Sequence, residues 1–147
     1  MLARPRGAPL DRDRMTAFDS IHPLPVLVAA ASAFMLGGLW YGPLFVKAWG
    51  RAMGIDPTAR TPHGARPFAI AFVLSLVTAA AMALALPAGV DALHGAGLGA
   101  LIGLLFVATS FGINYALAPR PLLLWLIDGG YHVVQFTLYG AILGAWH

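Results

Sequence analysis

The sequence predicts an all-α fold, a transmembrane four-helix bundle, and three observations lead to it. Hydrophobic residues make up 59% of the 147 residues, whereas charged residues make up only 10%. A soluble domain usually has about a quarter of its residues charged. The apolar residues lie in four long runs, and the chain has no cysteine, so no disulfide framework supports a small soluble fold. A chain of this length indicates one domain.

Each of the four runs is long enough to cross a bilayer as one helix. A hydrocarbon core of about 30 Å needs about 20 helical residues. The predicted spans cover residues 24–45, 67–86, 93–117 and 122–146. A membrane barrel is excluded because the chain has no alternating strand segments of the kind that a barrel requires.

The segment before the first span, residues 1–23, is polar and rich in proline and arginine, which predicts a disordered tail. Met15 is an alternative start of the chain. The first span follows basic residues, as a signal peptide does, but it is too long for the apolar region of one. It also ends in Trp40-Tyr41-Gly42-Pro43 instead of a small-residue cleavage site. We therefore interpret it as a membrane-spanning helix.

The loop of residues 46–66 begins with a segment that has the pattern of a short interfacial helix. Apolar and basic side chains fall on different faces, as expected for a helix in the headgroup region. These faces carry Phe45, Trp49 and Met53 on one side and Lys47 and Arg51 on the other. Gly54 is the expected C-cap, and Asp91, in the second loop, is the expected N-cap of the third span.

The distribution of Lys and Arg bears on orientation, because cytoplasmic loops carry an excess of these residues. If the chain starts at Met15, all of its Lys and Arg residues lie at the end of the bundle that carries the first and third loops. This favours a cytoplasmic location for residues 46–66. Counted from Met1, the two sides nearly balance and decide nothing. The cations at the first and third loops are Lys47, Arg51, Arg60, Arg66 and Arg120.

A faint internal repeat is compatible with two parallel helical hairpins related by an axis along the membrane normal. The segment Gly38-Leu39-Trp40-Tyr41 is similar to Gly112-Ile113-Asn114-Tyr115, and Arg66-Pro67-Phe68 is similar to Arg120-Pro121-Leu122. Part of this match is generic, because proline is common at the start of a helix.

Every span also carries small residues four apart, a pattern typical of close helix packing in lipid. Such stripes serve contacts within the chain or between two copies, so a homodimer is a second interpretation beside a closed bundle. The stripes are Ala29, Ala33 and Gly37; Ala71, Ser75, Ala79 and Ala83; Gly95, Gly99 and Gly103; and Gly140 and Gly144.

The fourth span contains the most informative polar residues. Asp128, His132, Gln135 and Tyr139 fall on one helical face. A charge at membrane depth costs about 2.5–3.5 kcal/mol on insertion scales, so Asp128 should face the protein interior, be neutral or have a partner. His132, one turn away, is the expected partner.

Other polar and aromatic residues are expected at the same depth as Asp128. The candidate site comprises Trp40, Tyr41, Asn114, Tyr115, Asp128 and His132, with Arg120 at its rim. An alternative interpretation is structural, because Trp and Tyr anchor helices at membrane interfaces and polar side chains hydrogen-bond between helices.

No cofactor and no metal site is predicted. The histidines follow no metal-ligand spacing, and no glycine-rich phosphate loop is present. Although the net charge is +3, the basic residues flank apolar runs, which indicates a lipid bilayer and not nucleic acid as the partner.

Two segments resemble a family of small bacterial membrane proteins, the domain of unknown function 1761. They are residues 39–45, continued by Lys47-Ala48-Trp49 and Met53-Gly54, and Ile127-Asp128-Gly129-Gly130-Tyr131, which leads on to residues 140–146. The resemblance covers about residues 24–147. It implies four spanning helices in a bacterial cytoplasmic membrane and no established activity.

Three hypotheses for function remain open. The first is a non-enzymatic membrane protein that binds or passes a small solute or a proton at Asp128 and His132. The second is an interaction or scaffold subunit in which that pair only stabilises the bundle. The third is a membrane-embedded enzyme acting on a lipid or a quinone, with His132 as base and Asp128 as the group that orients it.

Overall fold

The computed structural model describes residues 22–55 and 64–146, and this part of the chain is helical without strands. The all-α prediction is therefore confirmed. Most of the predicted tail, residues 1–21, lies outside the described residues. The elements are α1 Pro23–Leu39, the π-helical segment π1 Trp40–Leu44, α2 Val46–Met53, α3 Ala65–Ala85, α4 Ala92–Ile102, the π-helical segment π2 Gly103–Ala108, α5 Thr109–Leu117 and α6 Leu122–Gly144.

Three helices are long and apolar enough to cross a membrane: Pro23–Leu44, Ala65–Ala85 and Ala92–Leu117. They match the first three predicted spans within about two residues at each end. The fourth predicted span, α6, has 23 residues, which is enough to cross a bilayer core. Its polar face makes it less apolar than the other three, and it carries more buried residues than any other described element.

The first helix widens into π1 because of Pro43. Proline has no amide hydrogen, and its ring clashes with the carbonyl one turn earlier, so a regular α-helical ladder cannot continue there. The amide of Phe45 instead donates to the carbonyl of Trp40, five residues earlier, at 2.9 Å. This change of direction precedes α2, which packs against α6.

Helix α4 continues into the wider π2 segment, where a side chain from α6 bonds to the backbone. The indole nitrogen of Trp125 donates to the carbonyl of Ala108 at 2.7 Å. Single turns of π-helix are frequent at functional sites. Here π2 leads into α5, which carries Tyr115.

The two halves of the bundle pack as hairpins, α1 with α3 and α4 with α6, as the repeat suggests. The contact of α4 with α6 is made by backbone on backbone. A Cβ placed on Gly95 would overlap the carbonyl of Gly140, and one placed on Gly99 would overlap that of Phe136. The stripes of these two helices therefore serve contacts within the chain. The homodimer stays a prediction.

Both predicted caps are present. Gly54 adopts φ +70°, a left-handed conformation that suits glycine. Asp91 accepts hydrogen bonds from the amides of Leu93 and His94, each at 2.9 Å. The amide of His94, followed by the His94 side chain, lowers the pKa of the Asp91 carboxyl below its ordinary value of 3.8. The helix in residues 46–53 is also present as α2, whereas its location in the headgroup region stays a prediction.

Candidate functional site

The carboxylate of Asp128 lies where four segments of the chain meet. Its Oδ1 accepts a hydrogen bond from the hydroxyl of Tyr41 at 2.9 Å and another from the indole nitrogen of Trp49 at 3.1 Å. Its Oδ2 accepts one from the hydroxyl of Tyr115 at 2.7 Å. The side chain of Asp128 is 7% exposed. We call these four residues the Asp128 cluster.

Each donor reaches Asp128 because of the local structure around it. Tyr41 lies in π1, and Trp49 lies on α2 just after the change of direction at Pro43. Tyr115 lies on α5, which packs against α6. The rings of Tyr41 and Trp49 also contact each other edge to face, with centroids 5.9 Å apart, an arrangement that aromatic pairs favour.

The donors to Asp128 are neutral, so they satisfy its oxygens without neutralising its charge. Within residues 22–55 and 64–146 no lysine or arginine bonds to Asp128, and the described carboxylate–imidazole contact is that of Asp91 with His94, 2.8 Å apart at the opposite end of the bundle. Hydrogen bonds to an ionised group contribute about 1.5–3 kcal/mol each. Three of them are enough to offset the expense of about 2.5–3.5 kcal/mol for placing a carboxylate in a membrane.

His132, the partner expected for Asp128, hydrogen-bonds to a different residue. The Nδ1 of His132 lies 2.8 Å from the Oε1 of Gln135, three residues further along α6. The amide of Gln135 in turn donates to the hydroxyl of Tyr139 at 2.9 Å. The helical face predicted from the sequence therefore divides into the Asp128 cluster and a relay of His132, Gln135 and Tyr139.

Trp40 supports the site by bonding to the backbone beside Asp128 and not to its carboxylate. Its indole nitrogen donates to the carbonyl of Ile127 at 3.0 Å, next to Asp128 in the chain. Its ring lies against Tyr131, with centroids 6.4 Å apart. Tyr131 also donates to the carbonyl of Ala33 at 3.1 Å. These bonds hold α6 against the first helix at the level of the site.

Two of the predicted site residues lie elsewhere. Asn114 is exposed, because it sits on the outward face of α5, next to the inward-facing Tyr115. Arg120 is exposed as well and lines a separate groove with Tyr115 and Trp125. Trp49 was not predicted as a site residue. The available signal was that a half-buried indole N–H usually needs an acceptor.

A cavity of about 630 Å³ opens beside the Asp128 cluster. Its volume falls within the range of about 300–1,000 Å³ that is usual for small-molecule sites. Asp128 and His132 both face it, so the structure brings these two predicted residues to one cavity although they do not bond. The lining includes Tyr41, Trp49, Phe68, Phe111, Asp128 and His132.

Two further grooves adjoin this cavity along the bundle. One, of about 410 Å³, shares Tyr41 and Phe68 with it. The other, of about 440 Å³, shares His132 with it and extends to Gln135. Asp128, His132 and Gln135 on α6 therefore line grooves at two successive levels of the bundle.

Comparison with known proteins gives a family and no activity. The family model described as "Protein of unknown function (DUF1761)" matches residues 24–144. No curated protein and no solved structure matches the chain significantly. The match covers all the helices, the Asp128 cluster and the cavity beside it, and it agrees with the resemblance seen in residues 39–54 and 127–146. The chain therefore belongs to the DUF1761 family of proteins of unknown function.

Proposed function

We propose that this protein is a non-enzymatic membrane protein that binds a small solute in the cavity beside Asp128. One observation carries the proposal: a buried carboxylate, held by three neutral donors from three other segments, faces a cavity of ligand size. Ionisable residues inside membrane proteins are rare, and they commonly mark pathways for substrates or protons.

The relay of His132, Gln135 and Tyr139 supports passage of a solute beyond simple binding, and within it His132, not the Gln135 amide, is the group that can take up and release a proton. The relay begins at the cavity and follows α6 for seven residues, or about 10 Å along the helix. Histidine suits such a relay because its imidazole can accept a proton at one ring nitrogen and release one from the other. The relay ends at Tyr139, which is fully buried, so passage beyond this point would need a rearrangement.

Cysteine labelling tests whether solutes reach the cavity, and the chain has no cysteine of its own. Phe111→Cys introduces a thiol in the cavity wall, and Leu124→Cys introduces one at a fully buried position of α6. A small water-soluble methanethiosulfonate should label the first variant and not the second. Equal labelling of both folded variants, or of neither, would contradict a solute-accessible cavity.

Proteoliposomes then separate passage from binding. A pH jump across the vesicle membrane should produce a proton flux above that of empty vesicles, and His132→Ala should lower this flux. If the labelling succeeds and wild-type vesicles show no such flux, the protein binds without passing protons.

The second candidate function is that of a scaffold subunit, and a specific observation favours it. The Asp128 cluster ties π1, α2 and α5 to α6, so it would stabilise the bundle even if the cavity held no solute. The melting temperature of Asp128→Asn in detergent discriminates between the two. A large decrease favours the scaffold, whereas an unchanged or higher value favours a binding site that is kept at some expense of stability.

The enzyme hypothesis has no such support. It assigns Asp128 to orient His132, and His132 bonds to Gln135 instead.

As part of the main proposal, we place residues 46–66 in the cytoplasm of a bacterial cell. This end of the bundle carries Lys47, Arg51, Arg66 and Arg120, in agreement with the preference of cytoplasmic loops for cations.

A further inference from the structure

We infer that the solute bound beside Asp128 is an organic ammonium cation with an apolar body. This inference rests on the proposed function and specifies its ligand class. The observations that carry it are the charge of the cavity, the aromatic character of its lining and the hydrogen-bonding groups that remain unused.

The charge of the cavity comes from Asp128. The other lining residues in the described part of the chain carry no fixed charge, and His132 is the one among them that can become positive. The donors to Asp128 are two phenols and an indole, which leave its negative charge uncompensated. A cation entering the cavity would gain an opposite charge in a region of low dielectric, where electrostatic attraction is strong.

The lining suits the body of an organic cation better than a hydrated metal ion. Tyr41, Trp49, Phe68 and Phe111 contribute aromatic rings. The faces of aromatic rings attract cations, and cages of such rings recognise quaternary ammonium groups. A metal ion would require several oxygen ligands, and the described residues hold no cluster of metal-binding side chains.

The hydrogen-bonding groups argue against an anionic or a sugar-like ligand. The Tyr41 hydroxyl and the Trp49 indole already donate to Asp128, so they are not free to hold an anion. A carboxylate has about four acceptor positions, and the described donors fill two on Oδ1 and one on Oδ2. The remaining position on Oδ2 can accept an N–H from a primary, secondary or tertiary ammonium group. A quaternary ammonium group, which has no N–H, would be held by the charge of Asp128 and by the aromatic rings alone.

Equilibrium dialysis of the full chain in detergent tests this inference. The probe is radiolabelled benzyltrimethylammonium, whose charge does not depend on pH, and the competitor is its uncharged carbon analogue, neopentylbenzene. We expect saturable binding of the probe and little displacement by the analogue. Absence of saturable binding, or equal competition by the analogue, would overturn the inference.

Two pairs of variants locate the binding. Asp128→Asn should weaken binding of the probe about tenfold or more, whereas Asp91→Asn removes a carboxylate at the other end of the bundle and should leave it unchanged. If Asp128→Asn does not fold, Phe111→Leu should weaken binding about 2-fold to 30-fold. Phe106→Leu, at an exposed position outside the cavity, is its control. Equal effects within the usable pair would overturn the inference.

The ammonium group can belong to a free solute or to a lipid headgroup, and competition by lipids distinguishes these sources. Displacement of the probe by phosphatidylcholine, with none by phosphatidylglycerol, identifies a lipid headgroup. Binding of the probe that neither lipid disturbs identifies a free solute. Displacement by the anionic lipid alone would overturn the inference.

The labelling of Phe111→Cys separates this inference from the proposed function. If that thiol is accessible and the probe does not bind, the ligand class is wrong while the solute-accessible cavity stands. If the thiol is inaccessible and the probe does not bind, both fail.

Discussion

At the scale of single residues, Asp128 is a buried carboxylate that accepts hydrogen bonds from three neutral side chains on other helical segments. Burial follows from helix length and the expense of a charge in lipid, which are local properties. The donors Tyr41, Trp49 and Tyr115 lie 87, 79 and 13 residues away in the chain. Depth along the helices places Tyr41 and Tyr115 near Asp128, but it does not show that they bond to it, and it does not single out Trp49. Helical spacing favours His132 as the partner of Asp128. Gln135 also lies about one turn from His132, on its other side, and His132 bonds to Gln135 instead.

Replacing Tyr41 by Phe should therefore lower stability more than an ordinary hydrogen-bond deletion does. It leaves one donor fewer on a buried carboxylate, a loss of about 1.5–3 kcal/mol in the free energy of unfolding. Tyr131→Phe removes a bond to a backbone carbonyl of Ala33 and should lose about 0.5–1.5 kcal/mol. Denaturant titration in mixed micelles measures both values. Equal losses would mean that Asp128 gains little from Tyr41.

At the scale of helices, contact between α4 and α6 depends on the absence of side chains. Gly95 and Gly99 bring the backbone of α4 against that of α6, and Gly103 does the same for π2. Lipid gives helices no hydrophobic reason to associate, so close packing supplies much of the attraction. The stripe of four-residue spacing is readable from the sequence, but the identity of the facing helix is not.

Gly99→Ala should separate these two helices, because its Cβ would overlap the carbonyl of Phe136. Overpacking of this kind costs about 1–3 kcal/mol. Gly97→Ala is a matched control, since Gly97 is exposed on the same helix with open space around its Cα. We expect a lower melting temperature for the first variant and an equal or higher one for the second. The reverse order would contradict the α4–α6 packing.

The N-cap of α4 should make stability depend on pH in the acid range. Since folding lowers the pKa of the Asp91 carboxyl from 3.8, its ionised form stabilises the fold above that value. This stabilisation is lost as the pH falls through the lower folded pKa. The melting-temperature difference between wild type and Asp91→Ala should therefore shrink between about pH 7 and about pH 2.

His94→Ala is the control for that experiment, because the amide of residue 94 is the largest cause of the shift and survives the substitution. It should retain most of the pH dependence. If Asp91→Ala differs from wild type by the same amount at both pH values, the cap does not act through its charge.

At the scale of the whole molecule, the four apolar runs predict the helices well because length and prolines decide where they begin and end. The π-helical segments are less predictable. Pro43 marks the first, but the second depends on Trp125 reaching Ala108 from another helix. The sequence also treats all four runs alike, whereas α6 is the polar helix around which the others pack.

This arrangement predicts that the loops at the two ends of α3 lie on opposite sides of a membrane. Single cysteines replacing Arg51 and His94, both exposed, provide the test in sealed right-side-out vesicles. A membrane-impermeant maleimide should label His94→Cys from outside and Arg51→Cys only after permeabilisation, if residues 46–66 are cytoplasmic. The opposite pattern would invert the orientation. Labelling of both from one side would contradict a spanning α3.

The placement of the tryptophans has an optical consequence. Three of the four tryptophans in the chain lie around Asp128. The indole N–H of Trp40 donates to the carbonyl of Ile127, and that of Trp49 donates to Asp128 itself. Trp125, three residues before Asp128, donates to the carbonyl of Ala108. Trp146 lies exposed at the other end of α6. Intrinsic fluorescence therefore originates mainly around the carboxylate. Events in the cavity can be followed by emission and quenching in the unlabelled protein, with Trp49→Phe identifying the contribution of the indole nearest the solute.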